Sequence, residues 1–79
     1  MSGPRNGDTM EFARRLRERR THKRWTRQQL ATKMGVTLTT IGNWEGGKGF
    51  PKLSKRGLLC TVLGTTAKDL HLPPYNADM

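Results

Sequence analysis

The feature that most restricts this chain is a pair of helix-start signals eleven residues apart, at Thr26 and Thr37, with one glycine between them. Thr26-Arg27-Gln28-Gln29 has a threonine N-cap and a glutamine three residues later, the pattern of a capping box, and Trp25 stands to Leu30 as a hydrophobic staple. Thr37 repeats the cap, with Val36 and Ile41 as a second staple pair. These signals predict helix two from Arg27 to near Gly35 and helix three from Leu38 to Glu45, stopping at Gly46-Gly47. Only Met34-Gly35-Val36-Thr37 joins them, and glycine takes the positive φ that so sharp a reversal needs. Two helices around such a turn form a helix-turn-helix.

The remaining apolar residues supply three more helices. Phe12, Ala13 and Leu16 fall at helical spacing and predict helix one from Thr9 or Met10 to about Arg20. After Pro51, the group Leu58, Leu59, Val62 and Leu63 predicts a fourth helix ending at Gly64. Thr66 with Asp69 three later, ahead of Leu70, predicts a short fifth. Alternating β-type runs are absent, so the expected fold class is all-α: a compact five-helix domain over residues 9–72. A flexible tail over residues 1–8, rich in Gly, Pro and polar residues, precedes it. A second tail over residues 73–79 opens on Pro73-Pro74, which cannot continue a helix. Seventy-nine residues give one small domain with a thin core, without the depth for a buried substrate pocket.

Charge points to the partner. Fifteen Lys and Arg against six Asp and Glu leave a net +9 and a pI near 10.9, which calls for a polyanion, nucleic acid first. Cys60, the single cysteine, excludes an intramolecular disulfide or a multi-thiolate zinc site and fits a reducing cytoplasm. His22 and His71 lie far apart without companion ligands, so no metal is expected. No apolar run reaches membrane-spanning length, and no signal or transit peptide is legible. No Ser/His/Asp set, carboxylate pair or phosphate loop of recognised spacing occurs, so neither catalytic residues, enzyme activity nor a cofactor is expected.

Taken together, Thr26-Arg27-Gln28-Gln29-Leu30-Ala31, Gly35-Val36-Thr37, Ile41-Gly42-Asn43-Trp44-Glu45-Gly46-Gly47-Lys48 and Pro51 resemble the Cro/CI-type (XRE) helix-turn-helix family. The family's usual run is close to T-Q-x-x-L-A, G-V-[ST], I-x-x-W-E-x-G, then P, and the resemblance extends from about Phe12 to Leu70 without a gap. It implies a lambda-repressor-like domain with the helix-turn-helix as helices two and three. Five positions depart from the pattern. Arg27 stands for the usual Gln, Arg24 for a loop-closing Gly, and Gly46 for an Asn or Arg. Arg56-Gly57 replaces the first core leucine of helix four.

The resemblance assigns base reading to Leu38, Thr39 and Asn43, with Thr40 nearby, on a helix three lying in the major groove. Asn43 suits a bidentate contact to adenine, Thr39 donates or accepts, and Leu38 offers hydrocarbon to a thymine methyl, with core packing as the alternative for Leu38. Phosphate contacts fall to Thr26 and Arg27 at the start of helix two, and to Gly47 and Lys48 in the following loop. For Arg27 and Lys48 a merely solvated cation is the alternative. Arg20 is implied to pair with Glu45 as a structural bridge. Arg14 or Arg17 is a further phosphate candidate, within a basic run whose members cannot all face one way. Trp44 is assigned to packing rather than base stacking, and Cys60 to a small apolar role rather than redox sensing.

The function implied is a sequence-specific DNA-binding transcription regulator, a Cro-like repressor. It would bind a palindromic operator as a homodimer in the cytoplasm of a bacterium or phage-infected host, near the nucleoid. Its dimer surface would come from Leu70, Leu72 and Tyr75. Two alternatives stand beside it: an antitoxin of a toxin–antitoxin pair, and an arginine-rich RNA-binding or nucleoid protein using Arg14 to Arg27.

Overall fold

The computed structural model describes residues 6–73, with Asn6 described by its backbone alone. Four helices follow in order: α1 (Asn6–His22), α2 (Arg27–Met34), α3 (Leu38–Glu45) and α4 (Leu53–Leu63). No strand occurs among the described residues.

The first helix starts earlier and ends later than its apolar spacing indicates. Residues 6–8, assigned to the tail from composition, form its first turn, while residues 1–5 of that tail lie outside the described residues. Asp8 favours the helix start and Arg19, Arg20 and His22 the helix end, each sign opposing the local end of the helix dipole. Asp8 also meets His71 Nε2 at 3.1 Å, so the extra turn is held by a residue at the far end of the chain. At the other end, Arg24 takes φ 62°, the left-handed conformation for which glycine is the usual residue there. For a residue with a Cβ this costs about 1–2 kcal/mol. The Arg24 and Trp25 amides close the turn on the carbonyls of Thr21 and Arg20.

Both halves of the predicted capping box are present on α2. The Gln29 amide donates to Thr26 Oγ1 and the Thr26 amide donates to Gln29 Oε1. The helix stops at Gly35, whose φ of 68° turns the chain into Thr37, and Thr37 Oγ1 then accepts from the Thr40 amide to start α3. The core gathers Phe12 and Leu16 of α1, Leu30, Ala31 and Met34 of α2, Ile41 and Trp44 of α3, and Leu59 and Leu63 of α4. Both staple residues, Trp25 and Val36, pack partly buried against it, and Phe50 meets Phe12 with ring centroids 5.5 Å apart.

The end of the chain differs from expectation in three ways. Within α4 only Leu59 and Leu63 are buried, Val62 is half-buried and Leu58 is exposed, so the inward stripe is narrower than the four apolar residues indicate. Arg56, standing where the family places a core leucine, acts as a latch: its Nε donates to the Pro51 carbonyl (2.9 Å) and its Nη1 to the Pro73 carbonyl (2.7 Å). The fifth helix is a single turn. Thr66 caps it through the Asp69 amide, and the Leu70 amide reaches the Thr66 carbonyl. His71 then ends it at φ 61°, so cap and stop leave four residues between them, too few to propagate a helix.

That turn seals the core. Leu70 and Leu72, assigned to a dimer surface in the sequence, are 0% and 1% exposed and belong to the monomer's own interior. Tyr75, the third residue of that surface, and residues 74–79 of the C-terminal tail lie outside the described residues.

Candidate nucleic-acid interface

At about 100° per residue, an eight-residue helix that buries Ile41, Trp44 and Glu45 must turn positions 39, 42 and 43 away from that side. Leu38 falls on the Ile41 and Glu45 side at the first position of the helix, and it, Thr39 and Asn43 are exposed. Leu38, at 48% exposure, is not a core residue. The Asn43 amide has no partner among the described residues, so its donor and acceptor both face outward unspent. Gly42 sits among these side chains, and a Cβ there would meet nothing within 4 Å, which leaves a low point in the face. Thr40 stands to one side, half-buried, with its hydroxyl 3.0 Å from that of Thr37. The outward set is therefore Leu38, Thr39 and Asn43, with Thr40 completing the cap.

A buried ion pair orients this helix. Arg20 donates from Nε to Glu45 Oε2 at 2.6 Å and from Nη2 to Oε1 at 3.0 Å, and its Nη1 reaches the Trp25 carbonyl at 2.8 Å. One guanidinium thus joins α1, the loop before α2 and the end of α3. The Glu45 side chain is fully shielded from solvent. A two-point Arg–carboxylate contact fixes direction as well as distance, which positions the start of α3 relative to the rest.

Cations line the rim unevenly. Arg27, first residue of α2, donates from Nε to Glu45 Oε1 at 3.2 Å while much of its side chain stays exposed. Thr26 beside it is exposed, with its amide and hydroxyl oxygen engaged in the capping box. Lys48 is exposed just past α3. In that loop the amides of Gly46, Gly47 and Lys48 donate to the carbonyls of Gly42, Trp44 and Asn43. They serve as the helix cap, so what the loop can offer an anion is the Lys48 ammonium rather than the Gly47 amide. Gly47 has a different duty: at φ 74° a Cβ there would overlap the Met10 sulfur, which packs α1 tightly against the end of α3. On α1 part of the charge is spent. Arg14 pairs with Glu11 and Glu18, and Arg15 with Glu11. The hydrogen bond from Arg14, then that from Arg15, holds the Glu11 carboxyl below its usual range.

The contacts of Arg17 and Arg27 with Glu45 had no signature in the sequence, because they join residues 28 and 18 positions apart on three helices. Burial pushes the Cys60 thiol pKa up, which makes it a poorer nucleophile. Among the described residues no three His, Cys, Asp or Glu gather as a metal site, and no helix is long and apolar enough to cross a membrane.

A short exposed helix, locked by a buried ion pair and reached through a glycine turn, defines the class of this fold as a helix-turn-helix domain. Residues 11–72 match the profile of a family described as a helix-turn-helix domain, and the chain belongs to that family, in its XRE-type branch. It is 36% identical over 61 residues to the HTH-type transcriptional activator BcrR of Enterococcus faecalis, covering 77% of this chain and 30% of the activator. Its fold matches the restriction-modification controller protein C.AhdI of Aeromonas hydrophila with a TM-score of 0.74 and 31% identity, over 81% of this chain and 97% of that one. It also matches part of hydroxypropylphosphonic acid epoxidase from S. wedmorenis, with a TM-score of 0.73 and 34% identity, over 84% of this chain and 35% of the epoxidase. The chain thus spans about a third of the length of the activator and the epoxidase.

Proposed function

We propose that this chain is a sequence-specific DNA-binding unit of a transcription regulator that lays α3 in the major groove of duplex DNA in the cytoplasm. The observation carrying this reading is the exposed Leu38, Thr39 and Asn43 on a helix locked at its last residue by the Arg20–Glu45 pair. A rigid outward helix with an unspent amide is what base-edge reading requires. Arg27 and Lys48 hold the flanking phosphates, and the net charge of +9 draws the duplex in. Catalysis has no part in this reading; the likeness to an epoxidase covers about a third of that enzyme.

Operator binding by a homodimer is part of the proposal. With Leu70 and Leu72 inside the monomer, the exposed apolar side chains left for self-contact on one helix are Leu53 and Leu58. The exposed residues of α4 are Leu53, Ser54, Gly57, Leu58 and Thr61, none of them charged. Two copies of a strongly cationic chain approach each other at least electrostatic cost through such a face. A two-fold dimer then presents its recognition helices to half-sites about one turn of DNA, roughly 34 Å, apart. Repression follows if the operator overlaps a promoter, by exclusion of polymerase. The E. faecalis relative is an activator, so activation is the second reading, and reporters with the operator over or upstream of the promoter separate the two.

Selection of bound fragments from random duplex DNA tests the core of the proposal and should return one symmetric site. On that site Asn43→Ala should cost about 1–3 kcal/mol at one base position and relax its identity. Arg27→Ala should instead weaken every sequence alike. Equal losses on specific and random duplex for Asn43→Ala would overturn the base-reading role.

A further inference from the structure

Around Glu45 the charges do not balance. Its side chain is fully shielded, and three guanidiniums converge on it: Arg20 through two bonds, Arg27 Nε at 3.2 Å and Arg17 Nε at 4.0 Å. One carboxylate against three cations leaves a surplus of two positive charges. Arg20 is not where that surplus shows, since its side chain is 12% exposed and its remaining Nη1 is held by the Trp25 carbonyl. Arg17 and Arg27 are 59% and 46% exposed, and both approach the same oxygen, Oε1, through Nε. Their Nη groups have no partner among the described residues.

We propose that Arg17 and Arg27, brought side by side by Glu45 Oε1, form one binding site for a backbone phosphodiester, with Arg17 supplying from α1 a phosphate contact that the helix-turn-helix itself does not contain. This rests on the DNA-binding reading above and adds a residue to it. Guanidinium forks match phosphate oxygens in geometry as well as charge, and a shared buried carboxylate holds the two forks in place before the anion arrives. Arg17 borders a surface hollow of about 420 Å3 between α1 and the end of α3, also lined by Met10, Ala13, Arg14 and Glu45. Glu11 lies on the same hollow, but Arg14 and Arg15 already neutralise it.

The neighbouring Arg14 provides a matched control. It sits on the same helix with similar exposure, yet Glu11 and Glu18 satisfy it on both sides. Binding of the selected duplex is measured by fluorescence anisotropy across a salt series for the wild type, Arg17→Gln, Arg17→Lys and Arg14→Gln, with thermal unfolding followed alongside. Each phosphate contact contributes about 0.9 to the slope of log affinity against log salt. Arg17→Gln should lose about that much slope, with the same fold-loss on specific and random duplex. Arg17→Lys should keep the slope, because it keeps the charge, and Arg14→Gln should match the wild type. Unfolding midpoints should move little, since an arginine more than half exposed and 4.0 Å from its carboxylate contributes little to folding. An unchanged slope for Arg17→Gln, or an equal loss for Arg14→Gln, overturns this site while leaving the regulator reading intact. A wild type that binds no duplex at all overturns both.

Discussion

The outward faces of α3 and α4 are built from similar small and aliphatic residues, yet their surroundings differ, and so do the uses proposed for them. α3 exposes Leu38, Thr39 and Asn43, while α4 exposes Leu53, Ser54, Gly57, Leu58 and Thr61. The first carries an amide that donates and accepts, and cations from three elements gather at the end of its helix, where Arg17 and Arg27 approach Glu45 and Lys48 follows in the loop. The second carries no charge in a chain with fifteen Lys and Arg. The two helices are also held differently. α3 has a side-chain cap at Thr37 and a two-point ion pair at Glu45, whereas α4 starts at Lys52 without a side-chain cap and relies on Leu59, Leu63 and the Arg56 latch. Polar bonds fix angle, and apolar burial fixes mainly proximity. A helix that must meet base edges needs the first kind of support, while a surface for self-contact tolerates the second.

Breaking the polar frame of α3 should have the largest effect. Glu45→Ala strands Arg20 in a largely buried site without its anion and should cost about 3–5 kcal/mol of stability in urea unfolding. A loss below about 1 kcal/mol would show that packing alone orients α3. Next in size is the combined change Leu53→Glu and Leu58→Glu. Both side chains are exposed, at 75% and 41%, so circular dichroism should stay native-like while sedimentation shifts from dimer to monomer. Self-association that survives the double change would move the dimer surface elsewhere. The smallest effect sharpens the contrast at the helix starts. Thr37→Ala should cost about 1 kcal/mol through its lost cap, whereas Lys52→Ala should be nearly silent. Similar costs at both sites would remove the capping difference.

Local signals were legible where the chemistry is local. Thr26, Gln29, Gly35 and Thr37 each act within a few residues, and the structure shows both halves of the box, the left-handed glycine and the second cap. The start of α1 was not legible, because Asn6 and Gly7 carry no apolar periodicity and the turn is secured by His71 from the other end. The fifth helix is shorter than its signals indicate for a related reason. A capping signal at Thr66 marks a beginning but not a length, and the stop at His71 is a left-handed residue without glycine's signature. Leu70 and Leu72 read as outward residues in the sequence because apolar residues beside a tail look available, whereas the core receives both.

By itself the sequence determined the helix-turn-helix, its capping chemistry, the glycine reversal and the cationic excess, since each depends on residue type and short spacing. Only the tertiary structure decided which arginines keep surplus charge toward solvent. Arg14 and Arg17 are three residues apart on one helix, and the first is neutralised by neighbours one turn away while the second leans toward a carboxylate on another helix. The physical reason is that the effective charge of a side chain depends on every group within a few ångströms, and folding alone brings those groups together.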